Sequence, residues 1–207
     1  MSDADDTSRP VPAWVQAHGI TDRDTGIAIA RASRQLLIDA AANAFGRGQD
    51  FSTGVALLGG LVTRGIGLHD GAVAALGADN PFAAFTLIRS LAENAAALLY
   101  ATDRPTTVDR VLGLDGHPLP VGKLTAYANQ SPRFGAFKDV YSELSQYAHP
   151  GAKGFSASMS LSGNNFRWSG TPAFRLGNDF LMACAWIVEL AGANSHFIVE
   201  FADSQGW

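Results

Sequence analysis

The sequence predicts an all-α fold, an up-and-down helical bundle with a small β-hairpin inserted before the last helix. Three observations predict it. Apolar residues recur at helical spacing along most of the chain, as in Ile27, Ala30, Leu37, Ile38, Ala41 and Phe45. The stretch 81–101 is apolar almost all round its wheel, which marks a helix at the centre of a bundle. One stretch only, 155–162, alternates apolar residue and serine, the period of a strand with one buried face.

Residues 1–20 read as a disordered or extended arm, with Pro10, Pro12 and Trp14 leading into a single helical domain over 21–207. The first helix is expected to start at Asp22, where Thr21-Asp22-Arg23-Asp24 resembles a capping box with Asp in place of Glu, and to end at Gly46-Arg47-Gly48. The second, over 51–76, contains Gly54, Gly59, Gly60, Gly65, Gly67 and Gly71. Each glycine costs about 0.8–1 kcal/mol relative to alanine inside a helix. They imply either close approach by a neighbouring helix or a kink near Gly65-Ile66-Gly67. Asn80 caps the central helix and Pro81 opens it.

Two short helices are expected over 107–112 and 121–129, divided by the turn Asp115-Gly116-His117-Pro118. Phe134, Phe137, Tyr141, Leu144 and Ala148 form a helical stripe, which Pro150 stops at His149. The hairpin, about 154–169, turns at Gly163-Asn164-Asn165 and returns through Phe166-Arg167-Trp168. A long last helix ends near Phe201, with Phe180, Cys184, Ile187, Leu190, Asn194 and Ile198 on its inner side.

Composition narrows the function classes. The 207 residues suffice for one domain with a sizeable core, and a net charge of −4 gives no basic face for general binding of nucleic acid or anionic membrane. The single cysteine, Cys184, excludes an intrachain disulfide and suits a reducing cytoplasm. The apolar windows 54–78 and 180–201 contain Arg64, His69 and Asp70, and Glu189, Asn194 and His196. A charge at the centre of such a span costs about 2.5–3.5 kcal/mol in lipid, so no membrane span is expected. The histidines, His18, His69, His117, His149 and His196, have no helical ligand spacing, and no metal or cofactor is expected. Cys184 lies in an apolar run and reads as inert.

The candidate site starts from a charge anomaly. Arg89 and Glu93 are the only charges over 82–101 and share a helix face. Their order is the reverse of the one the helix dipole favours on a surface, so they read as a pair held within the helical core. On the helix ending at His149, Tyr141, Ser145 and His149 follow at four-residue steps. Packed together, these helices would let His149 act as acid or base, Glu93 orient it and Arg89 hold an anion. The alternative is architecture, with Arg89–Glu93 stitching helices and His149 ending one.

Leu87-Ile88-Arg89-Ser90-Leu91-Ala92-Glu93-Asn94, followed by Tyr141-Ser142-Glu143-Leu144-Ser145-Gln146-Tyr147-Ala148-His149-Pro150, resembles a group of bacterial helical proteins with Arg-x-x-x-Glu and Ser-x-x-x-His helices. These are similar in turn to the HEPN superfamily of helical toxins and phage-defence ribonucleases. The resemblance covers about 71–151 and implies an effector directed at RNA or a nucleotide. HEPN ribonucleases carry Arg-x4–6-His, and Arg64-Gly65-Ile66-Gly67-Leu68-His69 has that spacing. It departs from the family in having Gly65 after the arginine and in preceding the central helix. Two functions therefore stand: a HEPN-like, RNA- or nucleotide-directed effector, or a non-catalytic helical module binding a protein or small ligand. The Ala-rich core and glycine-rich helix suit close helix packing, including a homodimer, under either.

Overall fold

The computed structural model describes residues 10–148, 157–162 and 165–207. The fold is all-α. Helix α1 (Ala13–Gln16) replaces the expected extended approach with one helical turn. Its cause is apolar anchoring: Val15 and Ile20 are fully buried, and Trp14 stacks on Trp186 at 6.1 Å between ring centroids.

Helix α2 (Arg23–Ala32) is capped by Asp22, whose carboxylate accepts from the Thr25 amide at 2.8 Å. The Thr25 hydroxyl accepts in return from the Asp22 amide at 3.1 Å, so the box closes through Thr25 and not through Asp24. The helix expected over 22–45 is in fact two, α2 and α3 (Arg34–Phe45), which meet at Ser33. The buried Ser33 hydroxyl donates to the Ala30 carbonyl at 2.7 Å, a backbone-competing bond that bends helices.

Helix α4 (Thr53–Gly77) starts where Ser52 accepts from the Val55 amide at 3.2 Å, and it runs unbroken through Gly65 and Gly67. Close approach accounts for part of its glycine content. A Cβ on Gly65 would lie 3.2 Å from the Asn94 amide nitrogen, and one on Gly71 3.2 Å from Leu87 Cδ1. Helix α5 (Pro81–Asp103), capped by Asn80 accepting from the Ala83 amide at 3.1 Å, is central: it packs on α4 and on three later helices.

Helices α6 (Val108–Val111) and α7 (Val121–Gln130) follow. Gly135, at φ +48°, breaks the stripe that the sequence ran from Phe134 onward. Phe134 therefore sits on a 3-10 turn, while α8 (Phe137–Ala148) starts beyond it, and the two rings still meet at 4.5 Å. Strands β1 (Met159–Ser162) and β2 (Asn165–Trp168) pair antiparallel, with Met159 opposite Trp168 and Ser162 opposite Asn165. Helix α9 (Gly177–Ser204) closes the molecule against α2, α3, α4 and α5. By length and composition α5 and α9 could each cross a membrane; 61% and 56% of their apolar windows are buried within the protein.

Candidate functional site

Helices α5 and α8 pack against each other so that the Tyr141 hydroxyl enters the Arg89–Glu93 pair. It accepts from Arg89 Nε at 3.2 Å and Nη2 at 2.9 Å, and it donates to Glu93 Oε1 at 2.9 Å. Arg89 Nε also lies 3.3 Å from Glu93 Oε1, with side chains 22% and 16% exposed. Burial, partly offset by Arg89, pushes the Tyr141 phenol up from its ordinary value. It is therefore a neutral hydrogen-bonding group at physiological pH, and no base. Ser145 does not extend the set, because its hydroxyl donates to the Tyr141 carbonyl at 2.7 Å. His149 lies outside the described residues.

Arg64 and His69 project into different contacts. Five residues on a helix turn about 140°, and α4 runs unbroken there, so the two side chains leave it in different directions. Arg64 reaches α5, donating to Asn94 Oδ1 at 3.1 Å and to the Ser90 carbonyl at 3.4 Å. His69 is buried towards α2 and α3, its Nε2 3.0 Å from the Ser33 hydroxyl oxygen. Since that hydroxyl donates to Ala30, Nε2 must be the protonated nitrogen. Nδ1, 3.6 Å from Asp70 Oδ1, makes no hydrogen bond, and burial pushes the imidazole pKa down.

Sequence reasoning gave no role to a buried amide pair. Asn94 Nδ2 donates to Asn194 Oδ1 at 2.9 Å and to the Leu61 carbonyl at 3.1 Å. Asn194 Nδ2 donates to the carbonyls of Leu190 and Leu91 at 2.7 and 3.2 Å. The pair joins α4, α5 and α9 through their polar atoms, as buried amides require. The signal was present: both asparagines stand at inward helical positions among alanines and leucines.

A large concavity lies elsewhere. An apolar groove of about 1020 Å³ follows α9, with Met182, Trp186, Ala193 and Phe197 along it. Helix α1 contributes Trp14 to one side, and α8 contributes Phe137 and Val140 to the other. Its rim carries the His18–Glu189 pair, bonded at 2.8 Å, and Asp139 and Glu143 of α8. The aromatic residues that line it were visible in the sequence, but their meeting at one groove depends on how α1, α3 and α8 are placed along α9. Among the described residues, no three histidine, cysteine or acidic side chains cluster as metal ligands. The Cys184 thiol is buried and pushed up to about 12, so no thiolate nucleophile is available. The chain matches no family model, no curated protein and no solved structure.

Proposed function

We propose that the protein is a non-catalytic helical binding module whose α9 groove receives an apolar partner. The observation that carries the reading is the groove itself. Its volume is at the upper end of ligand sites, and its exposed lining is mostly apolar, aromatic and aliphatic side chains joined by a few charged ones. Arg89, Glu93 and Tyr141 then serve to fix α8, one wall of the groove, to α5. Arg89 resembles other arginines here that are matched to carboxylates, Arg34 to Asp70, Arg23 to Asp79, and Arg133 to Asp103 and Glu200, as it is to Glu93. In the same reading the helices form an up-and-down bundle with a β-hairpin before α9, and a lone buried cysteine suits work in the cytoplasm.

The test is titration with a neutral solvatochromic dye such as Nile red, followed by fluorescence. The dye should bind saturably to the wild type, and Ala193→Trp, which fills the groove, should abolish binding without lowering helicity. Absence of saturable binding would overturn the reading.

A second reading, the HEPN-like effector directed at RNA or a nucleotide, has one observation in its favour. Arg89 and Glu93 keep about a fifth of their side chains open to solvent, enough to meet a small anion. Cleavage of a mixed RNA pool by the wild type, lost in Arg89→Ala, would decide for it.

A further inference from the structure

We infer that the occupant of the α9 groove is an amphipathic helix of a partner protein, with basic residues flanking its apolar stripe. The inference rests on the groove being a binding site and specifies what fits there. From Met182 to Phe197 the lining follows α9 over about 22 Å, at 1.5 Å rise per residue. That is four turns, the length over which a docked helix presents anchors at i, i+3, i+4 and i+7. Large apolar groups stand open along it: Trp14 is 38% and Leu36 45% exposed.

The charges give the partner its sign. Three carboxylates, Asp139, Glu143 and Glu189, line the groove against one guanidinium, Arg133, and two imidazoles, His18 and His196. Arg133 is already bonded to Asp103 and Glu200, and Glu189 to His18. A helix with lysine or arginine beside its apolar stripe meets this rim with opposite charge, whereas an acidic one meets like charge. The same charges disfavour a second copy of this chain. An isologous contact would set each acidic rim against itself, in a chain whose net charge is already −4. Residues 1–9 are no better matched, with three aspartates, one arginine and no apolar stripe.

The experiment uses two fluorescein-labelled synthetic helices of about 16 residues, long enough for the groove. They share one leucine stripe and differ only in carrying lysine or glutamate on the flanks. Fluorescence anisotropy with the full chain should show saturable binding of the lysine peptide, weakened by added salt, and at least about tenfold weaker binding of the glutamate peptide. Asp139→Lys and Glu189→Gln, both at exposed positions, should each weaken the lysine peptide while leaving Nile red binding intact. Equal binding of both peptides overturns the charge assignment. Binding of Nile red but of neither peptide overturns the helical partner and leaves the groove reading standing. Loss of both overturns the groove reading itself. Sedimentation showing a dimer of this chain that Ala193→Trp dissociates overturns the inference in favour of a second copy.

Discussion

The Tyr141 hydroxyl stands between Arg89 and Glu93, taking hydrogen bonds from the guanidinium and giving one to the carboxylate. A phenol in that position screens the two charges from their neighbours and ties α8 to α5. Tyr141→Phe removes the bridge and leaves the ring, so it should cost about 1–2 kcal/mol in urea unfolding. Glu93→Ala leaves Arg89 without its carboxylate and should cost more, about 2–3 kcal/mol. Losses well under half of these values would mean that the trio is not structural.

The Asn94–Asn194 bond predicts strong coupling. Asn94→Leu leaves a buried acceptor, Asn194 Oδ1, without its donor and should lower stability by about 1–3 kcal/mol. Combined with Asn194→Leu the two losses should fall short of additive by about 1 kcal/mol or more, because each single change already breaks the shared bond. Simple additivity in a double-mutant cycle would refute the coupling.

Two glycines of α4 should respond oppositely to alanine. A Cβ at Gly67 meets nothing within 4 Å, and the change removes backbone freedom from the unfolded chain, so it should stabilise by about 0.4–1 kcal/mol. At Gly65 the Cβ would press on the Asn94 amide at 3.2 Å, and the network there cannot yield without loosening its bonds. Gly65→Ala should destabilise, and thermal melts of the pair would show shifts of opposite sign.

His69 predicts an acid-side loss of stability. Its folded pKa is held below the ordinary 6.5 by burial, so between the two values the unfolded chain binds more protons. Its contribution is therefore complete above about pH 6.5 and declines as pH falls through the folded value. The decline is at most about 1.4 kcal/mol per pH unit. His69→Gln should flatten urea midpoints between about pH 7.5 and pH 5 relative to the wild type.

The helices and their caps were legible because they are local. Asp22, Asn80 and Pro81 mark helix starts by chemistry that needs no tertiary partner. The division at Ser33 was hidden, since it depends on the serine hydroxyl turning back to the Ala30 carbonyl, a rotamer that spacing does not report. The Gly65–Gly67 ambiguity was likewise tertiary, because what excludes a side chain at Gly65 is the Asn94 amide of another helix. In the site, Arg89 and Glu93 were found from charge order on one helix, and Tyr141 from the strip on another. That Tyr141 bridges the pair while Ser145 turns to its own backbone is set by side-chain rotamers, which spacing does not report. The groove needs three elements to coincide, and no single stretch of sequence carries that information.

The measurement that bears most directly on the account is an amide chemical-shift map of the full chain titrated with Nile red. Saturable shifts centred on Gly135, Gly192 and Ala193, at the groove, are predicted, with Ser90 and Glu93 unmoved. Shifts centred on Ser90 and Glu93, or no saturable shifts anywhere, would contradict it.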